Sequence, residues 1–245
     1  EVWPNLVRIA REKDVPVVVV NGRISQKSYR MYRWFRPLVK GTFSRLSLVL
    51  SQSEEYAERF RKIGVPGEKV IVTGSLKYDT AEIADKVEGA DELGEQLWLE
   101  DEPLWVAGGT GNEEEALILD VYEKLKGEGN FEELRLAIVP RKPERFDYVA
   151  GLIKQRGYSV ARYSEIKSGQ AAKVGDKEAV ILGDTMGDLR KFYSLGRVIF
   201  VGRSLVAMGG SDMAEAAALG KCTIFGAYTF NFNQTVEALL AGEGA

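Results

Sequence analysis

Continuous apolar runs and amphipathic stretches alternate along the chain. Trp3, Leu6, Val7 and Ala10 recur at helical spacing, and VPVVVV (15–20) then reads as a strand buried on both faces. Ser25 to Arg36 predicts a helix ending before Pro37, LSLVLS (46–51) a strand, Ser53 to Gly64 a helix, and VIVTG (70–74) a strand. Between Leu76 and Leu97 the apolar runs stop and charge rises, which predicts a hinge with a helix inside it. Beyond it LWVAGG, a helix from Asn112 to Lys126, LRLAIVP, a helix from Pro143 to Arg156, YSVARYS and AVILGD restart the rhythm. A helix from Met186, VIFVG, a helix from Asp212 to near Gly220, CTIFG and a helix from Asn231 complete it. Strands alternating with helices imply parallel sheets covered on both faces, and two such units place a ligand at the carboxyl ends of their strands.

Composition narrows the chemistry. With 245 residues, 45% of them hydrophobic, the chain can bury a full core, and a net charge of −3 gives no global attraction for nucleic acid. The single cysteine, Cys222, excludes an internal disulfide and, lying in CTIF, reads as a packing residue. Histidine is absent, so His-ligated metal and the commonest general base are excluded. No metal or cofactor is expected.

Four local patterns carry candidate chemistry. Val198 to Glu215 reads strand, glycine turn, helix start. Gly209 and Gly210 would let a ligand approach the main chain, and the following N–H groups would suit an anion. Asp212 and Glu215 equally stand in the D-x-x-E spacing of a capping box and could serve only the helix. GGTGNEEE (108–115) lacks the third glycine of a dinucleotide fingerprint and favours a well-capped helix, with Thr110 left to offer a hydroxyl. PRKPERF (140–146) puts Arg141 at a strand's carboxyl end, where its fork suits a phosphate; an exposed, solvated arginine is the alternative. Asp184 to Gly187 would cap the next helix. Finally, seven basic residues and no acidic one lie between Gly22 and Ser53. Lys27, Arg30, Arg33 and Arg36 fan over one half of a helix while Met31, Tyr32 and Phe35 occupy the packing half. That face reads as solvated or, with Tyr29 and Trp34 beside the cations, as meeting an anionic membrane.

Taken in order, EVWPNL, NGRISQKSY, GSLKYD, PRKPERF, DTMGDL, VGRSLVAMGGSDMAEAAALGK and FGAYTFNF resemble the Kdo (3-deoxy-D-manno-octulosonic acid) transferases over nearly the whole chain. The resemblance implies the GT-B glycosyltransferase fold, two Rossmann-like domains facing a cleft. It also implies transfer of Kdo from CMP-Kdo to the lipid A precursor at the cytoplasmic face of the inner membrane. Residues 1–79 would be the second half of the acceptor domain, 80–97 a linker, and 98–245 the CMP-Kdo domain, shortened at its end. The family's catalytic glutamate has no counterpart here, which implies an inactive chain if it is complete.

Other roles follow from the same resemblance. Glu1 and Lys77 would flank the cleft, the lysine stabilising charge in the transition state. Pro140 and Arg141, with Met186, Gly187 and Asp188, would contact CMP. Gly209, Gly210, Ser211 and Asp212 would face its phosphate, and Glu215 would accept hydrogen bonds from ribose hydroxyls. Arg23, Ser25, Lys27, Arg30, Arg33 and Trp34 would face the acceptor and the membrane. The chain departs from the family's histidine or asparagine at Gly111, Lys142, Ser211, Asp212 and Tyr228, and from its asparagine at Ser75. Asp212 beside a phosphate should weaken anion binding unless Arg141 or Lys142 compensates. Two other readings stay open: a catalytically silent nucleotide- or lipid-binding relative, and a GT-B enzyme using another nucleotide sugar.

Overall fold

The computed structural model describes residues 2–75, 87–129, 131–171 and 176–242. The chain divides into two compact units, Glu1–Thr80 and Ala81–Ala245.

In the first unit, helix α1 (Pro4–Glu12) leads into strand β1 (Val18–Gly22). Helices α2 (Gln26–Trp34) and α3 (Arg36–Phe43), strand β2 (Leu48–Ser51), helix α4 (Glu54–Ile63) and strand β3 (Val70–Val72) follow. The strands form a parallel sheet in the order β1-β2-β3. Phe43, Leu46, Val49, Ala57, Phe60 and Ile63 make its core. The ends of α4 follow from local chemistry. Ser53 Oγ accepts the Tyr56 N–H, Glu54 and Glu55 face the positive pole, Arg61 and Lys62 the negative one, and Gly64 ends the helix at φ +127°.

Two expectations fail in this unit. The helix expected through Arg36 breaks at Phe35, and Pro37 lies in the first turn of α3, where its missing N–H costs nothing. Strand β1 is not buried on both faces: Val18 and Val20, which share one face, are exposed, while Val17 and Val19 pack against the core on the other.

The second unit begins with helix α5 (Ala90–Gln96), which lies in the stretch expected as a linker but buries Leu93 in this unit's core, as does Leu97 just after it. Then come β4 (Leu104–Thr110), α6 (Glu114–Gly127), β5 (Arg135–Pro140), α7 (Phe146–Gln155), β6 (Val160–Arg162) and α8 (Tyr163–Lys167). Strand β7 (Val180–Leu182), α9 (Leu189–Leu195), β8 (Val198–Val201), α10 (Met213–Ala217), β9 (Cys222–Phe225) and α11 (Asn233–Ala241) complete it. The six strands are parallel, in the order β6-β7-β5-β4-β8-β9.

Alternation along the strands divides the core in two. Val106, Ala137, Val139, Ile181, Ile199 and Val201 pack on one face with Phe192 and Met213. Trp105, Ala107, Leu136, Ile138, Leu182 and Phe200 pack on the other with Ile118 and Leu119. All seven residues of the central β4 are buried. Cys222 is instead exposed, since β9 is an edge strand and its first residue points outward. The strand expected over YSVARYS ends at Arg162, and Tyr163 opens α8.

Candidate functional site

From β4 the chain adds β5, β6 and β7 to one side of the sheet, then crosses to add β8 and β9 on the other. The reversal falls between β4 and β8, where open α/β sheets leave a crevice at the carboxyl ends of the strands. The loops after β4, β5 and β8 meet there.

The loops after β4 and β8 are joined by a buried carboxylate. Glu114, fully buried in the first turn of α6, accepts backbone N–H groups of Gly111 (2.9 Å), Arg203 (2.6 Å), Ser204 (2.8 Å) and Leu205 (2.9 Å). Successive N–H groups converging on one point form an anion-binding nest, and the chain fills it with its own side chain. A Cβ on Gly202 would come within 2.6 Å of Thr110 Cα, so only glycine allows the two strand ends to approach this closely. GGTGNEEE therefore does more than cap a helix. Its Thr110 hydroxyl is spent on Glu115 Oε1 (2.9 Å), and Glu115 pairs with Arg145 (2.8 Å).

The turn from Gly209 to Asp212 is packed rather than open. Gly209, Gly210 and Ser211 are buried, and a Cβ on Gly209 would collide with Asn231 and Phe230. The Asn231 N–H donates to Gly209 O (3.1 Å), and the Ser211 hydroxyl to Gly109 O (3.1 Å). The left-handed conformations of both glycines (φ +90° and +83°) thus serve the chain's own packing. Helix α10 spans five residues and ends at Ala217 rather than near Gly220, so its dipole is small. Asp212 Oδ1 caps it by accepting the Ala214 N–H (3.1 Å). The capping box is only half formed, because the Glu215 carboxylate has no hydrogen-bond partner among the described residues.

Glu215 instead is half-buried within electrostatic reach of Asp212, Arg190 and Arg141. Burial, and then the neighbouring Asp212, raise its pKa, while Arg190 and Arg141 pull it back. Arg141 follows β5, its N–H donating to Thr110 O (3.0 Å); its exposed guanidinium has no ion-pair or hydrogen-bond partner among the described residues. Pro140, before it, is buried. The Tyr193 hydroxyl, against Gly108 of β4, is buried without a hydrogen bond, and burial, Glu215 and Asp212 raise its pKa against the opposing Arg141. The structure therefore brings Arg141, Asp212 and Glu215 into one electrostatic neighbourhood from segments far apart in sequence. Lys142 faces away to Glu144 (3.3 Å).

The loop after β7 divides by role. Met186 is 67% exposed and Gly187 turns at φ +90°, both free to meet a ligand. Asp188 is buried and bound by the Thr185 hydroxyl (2.7 Å), Lys167 and Lys191. Burial would raise its pKa, but Lys167, Thr185 and Lys191 outweigh burial and hold it low. Asp184 does not cap α9. Its carboxylate takes the Ser164 N–H (2.7 Å) in the first turn of α8, together with Arg162 (2.7 Å).

In the first unit, Ser25 caps α2 by accepting the Ser28 N–H (3.2 Å). Arg23, Lys27, Arg30 and Arg33 are exposed, and among the described residues none of them has an ion-pair partner. Gln26, Tyr29, Arg30, Arg33 and Trp34 line an open depression of about 670 Å³. Met31 and Phe35 do not pack inward as expected. Both are half exposed, beside Trp34 (84%) and Leu38 (78%), so cations and large apolar groups share one surface. Of α2, Tyr29 and Tyr32 pack against the core. Among the described residues no helix is long and apolar enough to cross a membrane. Glu1 and Lys77 lie outside the described residues.

Glu114 and Arg203 escape sequence reasoning. The one reads as an ordinary first-turn acid and the other as an ordinary loop cation. The positive φ of Arg203 (+62°) leaves no mark on an arginine.

The description 3-deoxy-D-manno-octulosonic-acid transferase (kdotransferase) belongs to a family model that matches residues 1–80. The 3-deoxy-D-manno-octulosonic acid transferase of Haemophilus influenzae is 34% identical over 244 residues, covering all of this chain and 55% of that protein. Its namesake from Bordetella pertussis is 32% identical, covering 99% and 55%. The chain thus spans about half the length of these curated relatives. Among solved structures, the C-terminal CMP-Kdo binding domain of WaaA from Acinetobacter baumannii is similar, with 30% identity and a TM-score of 0.56 over 64% of this chain and 78% of that one. Parallel-sheet α/β architecture of the GT-B class agrees with these likenesses. On identity sustained along its whole length, the chain belongs to the Kdo transferase family.

Proposed function

We propose that the second unit holds the CMP portion of CMP-Kdo, and that the chain is part of an enzyme moving Kdo to a lipid A precursor in lipopolysaccharide synthesis. The observation that carries this is that the end of β4 gathers both segments: the Arg141 N–H donates to Thr110 O and the Ser211 hydroxyl, just before α10 and its Glu215, to Gly109 O, while neither the Arg141 guanidinium nor the Glu215 carboxylate has a hydrogen-bond partner among the described residues. Likeness to a domain that binds CMP-Kdo supports it. Arg141 would take the phosphate and stabilise its charge as CMP leaves; Glu215 would accept the ribose hydroxyls. Met186 and Gly187 would complete the nucleotide's surroundings, while Asp188, Pro140 and the Gly209–Ser211 turn hold the loops in shape.

In the transfer itself an acceptor hydroxyl oxygen bonds to the anomeric carbon of Kdo, the bond from that carbon to the CMP phosphate oxygen breaks, and the hydroxyl proton passes to a base. By resemblance that base would be the family's glutamate, and the residues named above are assigned to donor binding. Lys77 and Glu1, by resemblance, would support charge near the acceptor. The exposed cations and aromatic groups around α2 would rest on the anionic cytoplasmic face of the inner membrane, where the acceptor lies.

Calorimetric titration with CMP tests the donor assignment. Absence of heat at millimolar CMP, with circular dichroism showing a folded protein, refutes it. Tighter binding of UDP or GDP would move the assignment to another nucleotide sugar.

A further inference from the structure

Arg203 follows Gly202, the first residue after β8, and its backbone is held in the left-handed region (φ +62°), uncommon for a residue with a side chain. Both of its peptide groups are fixed. Its N–H donates to Glu114 Oε2 (2.6 Å), and its carbonyl accepts the Gly210 N–H (2.7 Å). A strained residue persists only where its surroundings over-determine it, and such residues cluster at ligand sites.

The side chain crosses the sheet's reversal. A Cβ on Gly111 would lie 3.1 Å from Arg203 Cγ, so the arginine stem runs over the loop after β4. Its Nη2 makes one long contact, to Met208 O (3.4 Å), and its Nε is buried with no partner. No carboxylate pairs with it among the described residues, whereas Arg145, Arg156 and Arg162 of the same unit are all ion-paired. An unpaired fork of donors, partly desolvated and set on a strained, doubly anchored backbone, has the chemistry of an oxyanion receptor.

We propose that Arg203 binds the phosphate of the nucleotide, sharing that group with Arg141 and offsetting the negative charge of Asp212. This rests on the donor-site reading above. The fork then acquires the acceptor that its Nε lacks, and Glu114 is the positioning residue that aims it.

The test compares CMP and cytidine binding, by calorimetry and ligand-observed NMR, in the wild type, Arg203→Gly and Arg203→Lys. Glycine adopts φ +62° without strain, so Arg203→Gly should melt at or above the wild-type temperature. It should bind CMP about tenfold more weakly, the effect of about one lost charge-assisted contact. Cytidine affinity should not change, and Arg203→Lys should recover part of the CMP affinity. CMP affinity within twofold of wild type in Arg203→Gly would overturn the proposal, as would equal losses for CMP and cytidine. A wild type that binds cytidine and CMP equally well would also overturn it. A wild type that binds neither refutes the nucleotide site itself, and this assignment falls with it.

Discussion

Glu114→Gln isolates the carboxylate that joins the loops after β4 and β8. In the wild type Oε1 accepts the N–H groups of Ser204 and Leu205, and Oε2 those of Gly111 and Arg203. Glutamine has nearly the same volume but only one acceptor. Whichever way its amide turns, two buried backbone N–H groups meet an NH2 instead of an oxygen. At about 1–3 kcal/mol for each unsatisfied buried donor, and with charge assistance lost at the other two, the variant should be about 3–5 kcal/mol less stable. For a unit of this size that lowers the melting temperature by roughly 6–20 °C. Near-ultraviolet circular dichroism would follow the melting, and hydrogen exchange would locate the damage at Arg203–Leu205. Those amides should lose protection first, while the β4 and β5 amides stay slow. A stability change below about 1 kcal/mol, with Arg203–Leu205 still protected, would refute the account of Glu114 as the anion of a backbone nest.

Three further outcomes are expected. Because the folded-state pKa of Glu215 is raised, the folded protein holds that proton more tightly than the unfolded chain. Its ionisation therefore costs stability as pH rises through the ordinary glutamate range to the raised value. Glu215→Gln should accordingly gain in urea midpoint at pH 7 relative to pH 4, and equal shifts at both would contradict the burial argument. Asp212→Ala should lose about 0.5–2 kcal/mol with the Ala214 cap, while Asp212→Asn should keep the cap and bind CMP more tightly; calorimetry and thermal melts separate the two effects. Charge reversal at Arg30 and Arg33 should weaken sedimentation with anionic vesicles by at least about 2 kcal/mol, at roughly 1 kcal/mol per basic residue, in a salt-dependent way, with neutral vesicles unaffected.

Much of this architecture is legible in local pattern. Continuous apolar runs such as LRLAIVP and VIFVG mark strands buried on both faces, and Ser53 with Glu54, Glu55 and Gly64 marks both ends of α4. The place of Arg141 just after a strand is legible too, since side-chain type and position on an element are local properties. Helix ends were less legible. Pro37 reads as a stop and is a start, because its missing N–H suits either side of a boundary.

What the sequence alone determined is the alternation of strand and helix and, through ordered motifs, the family. Tertiary structure decided which sheet face is covered, and so why Val18 and Val20 are exposed despite lying in an apolar run, and it set Cys222 at the start of the strand β9 at the sheet's edge. It decided that Gly209 and Gly210 accommodate Phe230 and Asn231 rather than open main chain. It also set Glu114 against the backbone of Arg203–Leu205, and Arg141 near Glu215. The physical reason is range: periodicity reports the direction of a side chain within its own element, whereas sheet order and loop contact bring together groups separated by many tens of residues.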